Sequence, residues 1–341
     1  MLTVRGVSYL VDTASEADVR RDLRTIARDL RCTAVMLVGG DGARLVAVAR
    51  LAIGTGLDVH LRPHVPDVPV ARLLDHLDGL ATAAERLRRE HPGRVTLLVG
   101  SEFSHTAPGI VPGRWSFLRL RLILRFHRLL RRRVDRRLDG LLRATVRTAR
   151  RRFHGPLGYA AAGWENVDWS LFDLVGVSLY RSAGNQAGYV ERLRGLVGGH
   201  GKPVVITEFG CGAFVGAELR GAGSFGIVNW FAAAPRVRGD HPRDERVQAR
   251  YLGELIALYE AEGVYGCFVF TFAMPDFPHR ADPGFDLDKA GFGIVAVDES
   301  GARRPKAAFH EVARRYRRSG GSHTAGGPDD TCGGGPVPAG R

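Results

Sequence analysis

Apolar residues in this chain come in short, nearly unbroken runs, separated by segments where they recur every three or four positions. Eight stretches have the first character: VRGVSYLV, CTAVMLVGG, LDVHLRPHV, RVTLLVGSEF, LGYAAAGWE, FDLVGVSLY, KPVVITEFG and YGCFVFTF. Near-continuous apolar runs of this length predict strands buried on both faces. Helical spacing fills most of the gaps. One helix begins near Ser15, where Ser, Glu and Asp occupy the first turn, and others span Ala71–Arg89, Phe117–Arg152, Gln186–Gly198 and Arg243–Gly263. Strands alternating with helices pair in parallel, so eight of them in 341 residues predict an α/β fold, a closed (β/α)8 TIM barrel over residues 1–317. An open doubly wound sheet is the alternative, weakened because no GxGxxG or GxxxxGK[ST] loop follows the first strand. Residues 318–341, rich in Gly and Pro with almost no apolar content, predict a disordered tail.

Composition and charge change this picture in four places. No run of eighteen apolar residues predicts a membrane-spanning helix. The N-terminus, MLTVRGVSYLVDTASEADVRRDL, lacks the basic-then-apolar layout of a signal peptide, so the expected compartment is the cytoplasm. Cys32, Cys211, Cys267 and Cys332 form no CxxC pair and are expected as reduced thiols, without a zinc site. The net charge of +13 is concentrated: Arg119–Arg152 holds fourteen arginines against Asp135 and Asp139. Within that stretch Leu118, Leu122, Phe126, Leu130, Val134, Leu138, Leu142 and Val146 recur every four residues, an apolar stripe for a lengthened outer helix. Its basic face also suits an anionic membrane or an acidic partner. Nucleic acid is not an expected partner, since interleaved aromatics and binding motifs are missing.

In a barrel the C-terminal strand ends form one ring, and residues there converge on a shared pocket. Strand three carries His60, Arg62 and His64 in alternation, so all three point one way, toward a sugar site or an acid. Strand four ends at Ser101 and Glu102, strand six at Tyr180, strand seven at Glu208 and strand eight at Phe272. After strand five come Trp164, which either stacks on a sugar or packs, and Glu165, either a third pocket acid or a cap for the following turn. Glu102 and Glu208 stand across the ring from each other. Cleaving a glycosidic bond takes two such carboxyl groups, one ionised and one protonated, and burial with mutual repulsion separates their pKa values. His60 and His64 with Glu102 imitate a metal triad, but no HExxH helix accompanies them, and neither metal nor cofactor is expected.

With their flanks, these residues resemble the retaining glycoside hydrolases of clan A, (β/α)8 barrels with the acid/base Glu ending strand four and the nucleophile Glu ending strand seven. VITEFG is similar to the clan's nucleophile strand, and DKAGFGIVAVDESGARRPKAAFHEV to its usual finish, a short hairpin leading to a final helix. The resemblance extends from Val4 to Tyr316. It implies Glu208 as nucleophile, Glu102 as acid/base and Tyr180 as the partner orienting Glu208. Two positions depart from the clan: Ser101 stands where Asn is usual, and Phe272 where Trp floors the reacting subsite. More narrowly, GSEF, GWENVDWSLFDLVGVSLYR and VITEFGCGAF resemble an actinobacterial group labelled abortive-infection proteins. Two functions follow: a retaining O-glycosidase acting on a carbohydrate substrate, or a catalytically silent barrel that binds a carbohydrate or a protein partner, with phage defence as one setting.

Overall fold

The structure, a computed structural model, describes residues 1–318. The segment expected to be a disordered tail lies outside the described residues, apart from Arg318. Eight parallel strands close into a barrel: β1 (Val4–Leu10), β2 (Ala34–Gly39), β3 (Asp58–Pro63), β4 (Val95–Ser101), β5 (Leu157–Ala162), β6 (Val175–Ser178), β7 (Val204–Phe209) and β8 (Gly266–Val269). β8 returns to β1 in register from Val4 opposite Gly266 to Val7 opposite Val269. Each of the eight apolar runs contains one strand, so the TIM barrel read from the pattern is the fold observed. Ala34, Met36, Leu98, Ala160, Val205 and Phe268 fill the barrel interior. They make it a packed core whose open end lies above the strands' C-termini.

The outer layer contains α1 (Glu16–Arg28), α2 (Gly42–Gly54), α3 (Val70–Glu90), α4 (Ser116–Arg150), α5 (Tyr189–Gly199), α6 (Glu245–Ala261) and α7 (Ala307–Arg318). Ser15 caps α1 by accepting from Asp18 N at 3.2 Å. Helix α2 is an addition to the predicted set. Its sequence, GARLVAVARLAIG, is apolar on most sides, so no stripe stands out, yet Asp41 caps it and Leu45, Val48, Ala49, Ala52 and Ile53 are buried. Between β5 and β6 the connection is a single 3-10 turn, Trp169–Leu171. The expected closing hairpin forms from β9 (Val295–Val297) and β10 (Arg303–Pro305), and Lys306 leads from it into α7.

Helix α4 runs about 52 Å against about 31 Å for α3, at the usual rise per residue. Helical geometry breaks at Phe126 (φ −130°, ψ 24°), which divides it. Beyond the break the stripe behaves as expected: Val134, Leu138 and Leu142 are buried on the barrel. Before the break it does not, because Leu118 and Phe126 are exposed. Arg119 is instead the residue turned inward. It is fully buried, ion-paired with Asp67, and donates to the carbonyls of His105 (2.7 Å), Gly113 (2.9 Å), Arg114 (3.0 Å) and Thr106 (2.9 Å).

Candidate active site

Glu102 follows the last residue of β4 in a left-handed conformation (φ 48°, ψ 44°) that costs a non-glycine residue about 1–2 kcal/mol. Its surroundings hold it there. Glu102 N donates to Ala160 O at 2.9 Å on β5, and the Glu102 carbonyl accepts from His105 N and Thr106 N, both at 3.1 Å. The short helical turn Phe103–Thr106 thus starts at Glu102. Its free N–H groups are met by Tyr159, whose hydroxyl accepts from Phe103 N at 2.6 Å, and by Glu165, which accepts from Ser104 N at 2.8 Å. Gly100 (φ +151°) is required just before: a Cβ there would stand 2.4 Å from the Phe103 ring. The turn brings His105 Nε2 to 2.9 Å from Glu102 Oε2.

Glu208 is the fifth residue of β7 and projects into the barrel mouth. One carboxylate oxygen accepts from the Arg62 guanidinium, rising from β3, and the other from the Tyr180 hydroxyl at 2.8 Å. Arg62 is buried at 3% exposure, so the pair is shielded from water and salt. Burial pushes the Glu208 carboxyl above its ordinary value, and the Glu102 charge adds to that, against the pull of Arg62 and Tyr180 toward the ionised form. Burial opposes ionisation of Glu102 as well. There the hydrogen bond and charge of His105, helped by Arg62 and Ser178, prevail and hold the carboxyl below the usual range. The two acids sense each other, so one proton more or less belongs to the pair.

Glu102, Glu208, Arg62, His64, Ser101, Trp164 and Tyr180 all line one cavity of about 780 Å³. His64 is exposed at the opening, and the loss of surrounding water at the crowded barrel mouth, with the Arg62 charge, lowers its pKa. Trp164 is partly exposed and donates to Ser104 Oγ at 3.1 Å. Three expected site residues are placed elsewhere. His60 points the same way as Arg62 but lies deeper, 4.7 Å from the Phe268 ring in the barrel core, where burial lowers its pKa to about 4. Glu165 turns away from the cavity and accepts from Ser104 N, Tyr159 (2.9 Å) and Ala162 N (2.9 Å); burial raises its pKa. It caps the Phe103–Thr106 turn rather than the one after it. Phe272 is buried against Tyr9, with ring centres 6.0 Å apart, and Phe270 takes the place in the cavity expected for it. The reason is that β8 ends at Val269, after which Phe272 N bonds to Ser8 O of β1 at 2.9 Å.

The sequence reading missed His105, Ser178, Phe225 and Met274, all in the cavity wall. Only His105 carried a signal, its i+3 spacing from Glu102 on a turn. Leu120 and Leu124 of α4 also reach this wall, and with Leu10, Val38, Phe225 and Phe270 they make most of it apolar. A cluster of cation-ligating side chains stands apart: His279, Asp286 and Asp288 bring ligand atoms within 4.8 Å of one another. Arg243 spans both carboxylates, at 2.9 and 2.7 Å, and Lys306 adds a charge on Asp288, so protein cations already neutralise it.

A closed parallel barrel with two glutamates at the ends of β4 and β7 around one cavity is the class this fold and site define. Among solved structures, the chain is similar to a GH113 β-1,4-mannanase at TM-score 0.63 and 14% identity, covering 93% of this chain and 99% of that one. It is also similar to the GH113 β-mannanase AaManA from Alicyclobacillus acidocaldarius (TM-score 0.59, 16% identity, 93% and 98% covered). A third is Saccharomyces cerevisiae Gas2p in complex with laminaripentaose (TM-score 0.52, 14% identity, 93% and 65% covered). At such identities the likeness is one of fold. No family model and no curated protein matches the chain, so the resemblance to the abortive-infection group gains no support.

Proposed function

We propose that the protein is a retaining glycosidase acting on a β-linked carbohydrate. The observation that carries this reading is the pairing of Glu208, fixed by Arg62 and Tyr180, with Glu102 across a cavity wide enough for a sugar. Glu208 attacks the anomeric carbon while Glu102 gives its proton to the departing glycosidic oxygen, leaving a glycosyl ester on Glu208. Glu102, now a base, takes a proton from water, whose oxygen replaces the ester and frees Glu208. The first step needs the proton on Glu102. His105 favours the ionised form there, so Glu102 takes up its proton from solvent as the bound sugar displaces water and raises the cost of the carboxylate charge, against that contact.

The structural neighbours' substrates define the screen: β-1,4-mannooligosaccharides, laminari-oligosaccharides and aryl glycosides. The expected result is hydrolysis with retained configuration, lost in both Glu102→Gln and Glu208→Gln. An undiminished rate in either variant overturns its role. The ionised resting Glu102 favours the second reading, a barrel that binds a carbohydrate without cleaving it; ligand binding with no turnover across the whole screen decides for it.

A further inference from the structure

The Arg-rich segment is two surfaces. In its second half, beyond Val134, four of the seven arginines are matched by acids: Arg143 with Asp139 and Asp168, Arg150 with Asp173, and Arg151 and Arg152 with Asp78. In the first half, Arg114 to Val134 contains no acidic residue. Arg121, Arg125, Arg128, Arg131 and Arg132 are exposed and take no ion pair among the described residues. Between them stand apolar side chains that the protein leaves uncovered: Trp115 at 45%, Phe117 at 51%, Leu124 at 63% and Leu129 at 82% exposure, with Leu118 and Phe126 beside them. This is also the part of α4 that meets the barrel mouth. Leu124 is shared between the active-site cavity and a neighbouring groove lined by Leu118, Leu122 and Phe126. On the opposite lip, beyond Phe225, the loop after β7 exposes Trp230 and Phe231, at 46% and 84%.

We propose that the first half of α4, Trp115 to Arg132, docks on an anionic lipid bilayer and turns the barrel mouth toward it. Uncovered arginines alone would suit any polyanion. Exposed Trp, Phe and Leu side chains gain nothing from phosphates in water, whereas the headgroup–acyl boundary takes both kinds of side chain. No helix among the described residues is long and apolar enough to cross a bilayer, so the contact lies in the interface plane. The kink at Phe126 falls inside this stretch, so its two arms present their exposed arginines and apolar side chains at different angles.

The test is sedimentation of the full 341-residue chain with vesicles of phosphatidylcholine alone or mixed with phosphatidylglycerol. The expected result is pelleting with the mixed vesicles only, weakened by salt, with a blue shift of tryptophan emission. At about 1 kcal/mol per basic residue near an anionic surface, Arg121→Ala/Arg125→Ala/Arg128→Ala lowers partitioning about 100-fold. Phe117→Ser/Leu118→Ser/Leu129→Ser weakens it as well, and since all six positions are exposed, melting temperatures stay put. Equal binding to both vesicle types, or none to the mixed ones, overturns the proposal without any variant. Full binding by the apolar triple variant also overturns it. So does displacement from the vesicles by duplex DNA at equal phosphate, which would assign the arginines to nucleic acid.

Discussion

Tyr180→Phe isolates one hydrogen bond at the centre of the site. The phenol donates to Glu208 Oε2 at 2.8 Å, while its ring packs 5.9 Å from that of Phe292, a contact that phenylalanine preserves. A hydrogen bond to a charged group contributes about 1.5–3 kcal/mol, and the burial of this carboxylate points to the upper half of that range. That amount corresponds to a loss in kcat/KM of about 40- to 150-fold, since about 1.4 kcal/mol is a factor of ten. The sign of the pH effect is also determined. Tyr180 favours the ionised form of Glu208, opposing the burial and the Glu102 charge that raise its pKa. Without the phenol that pKa rises further, so the acidic limb of the kcat/KM profile moves to higher pH. The assay is a pH series on the best aryl glycoside, wild type against variant, with KM measured at each point. An unmoved acidic limb, a shift to lower pH, or a loss carried wholly by KM would refute the assignment of Tyr180 to the ionised nucleophile.

Three further outcomes follow from the same contacts. Arg62→Met leaves a buried carboxylate without its cation, a cost of about 3–5 kcal/mol that protonation of Glu208 relieves. Because the variant's folded-state pKa lies above the unfolded one, its melting deficit is smaller below that unfolded value and grows as pH rises; an equal deficit at low and high pH refutes this. Gly100→Ala sets a methyl 2.4 Å from Phe103 and displaces the turn that carries Glu102, lowering kcat about 100-fold in a protein whose circular dichroism is unchanged. Glu165→Ala strips the acceptor from Ser104 N, Ala162 N and Tyr159, each unmet donor costing about 1–3 kcal/mol, so thermal melting falls sharply; a melting point equal to wild type would deny Glu165 its buttressing role.

The contrast between Glu102 and His60 shows what could be read without coordinates. Although Glu102 directly follows β4 and Glu208 is the fifth of six residues in β7, both glutamates stand out because each interrupts an apolar run, which is visible in sequence. Depth is not. His60, Arg62 and His64 share one face, but two residues along a strand is about 6.6 Å, enough to put His60 in the core, Arg62 on Glu208 and His64 at the opening. Phe272 was misplaced for a related reason: the run YGCFVFTF does not mark where β8 stops, and three residues past Val269 the chain has already bonded to β1. Glu165 was legible as an alternative, acid or cap, and only the hydrogen bonds from Ser104 and Ala162 decide between them. In α4 the four-residue period is the same before and after Phe126, so periodicity could not tell a half that packs from a half that does not.

Arg119 gives the mouth of the barrel a mechanical character. One guanidinium fastens the Asp67 loop, the His105–Thr106 turn and the start of α4 at Gly113 and Arg114. Three loops that would otherwise move separately are pinned as one plate, with the acid Glu102 mounted on it. Whatever tilts the exposed end of α4 therefore tilts that carboxyl too, and a force applied at the rim is delivered to the proposed proton donor.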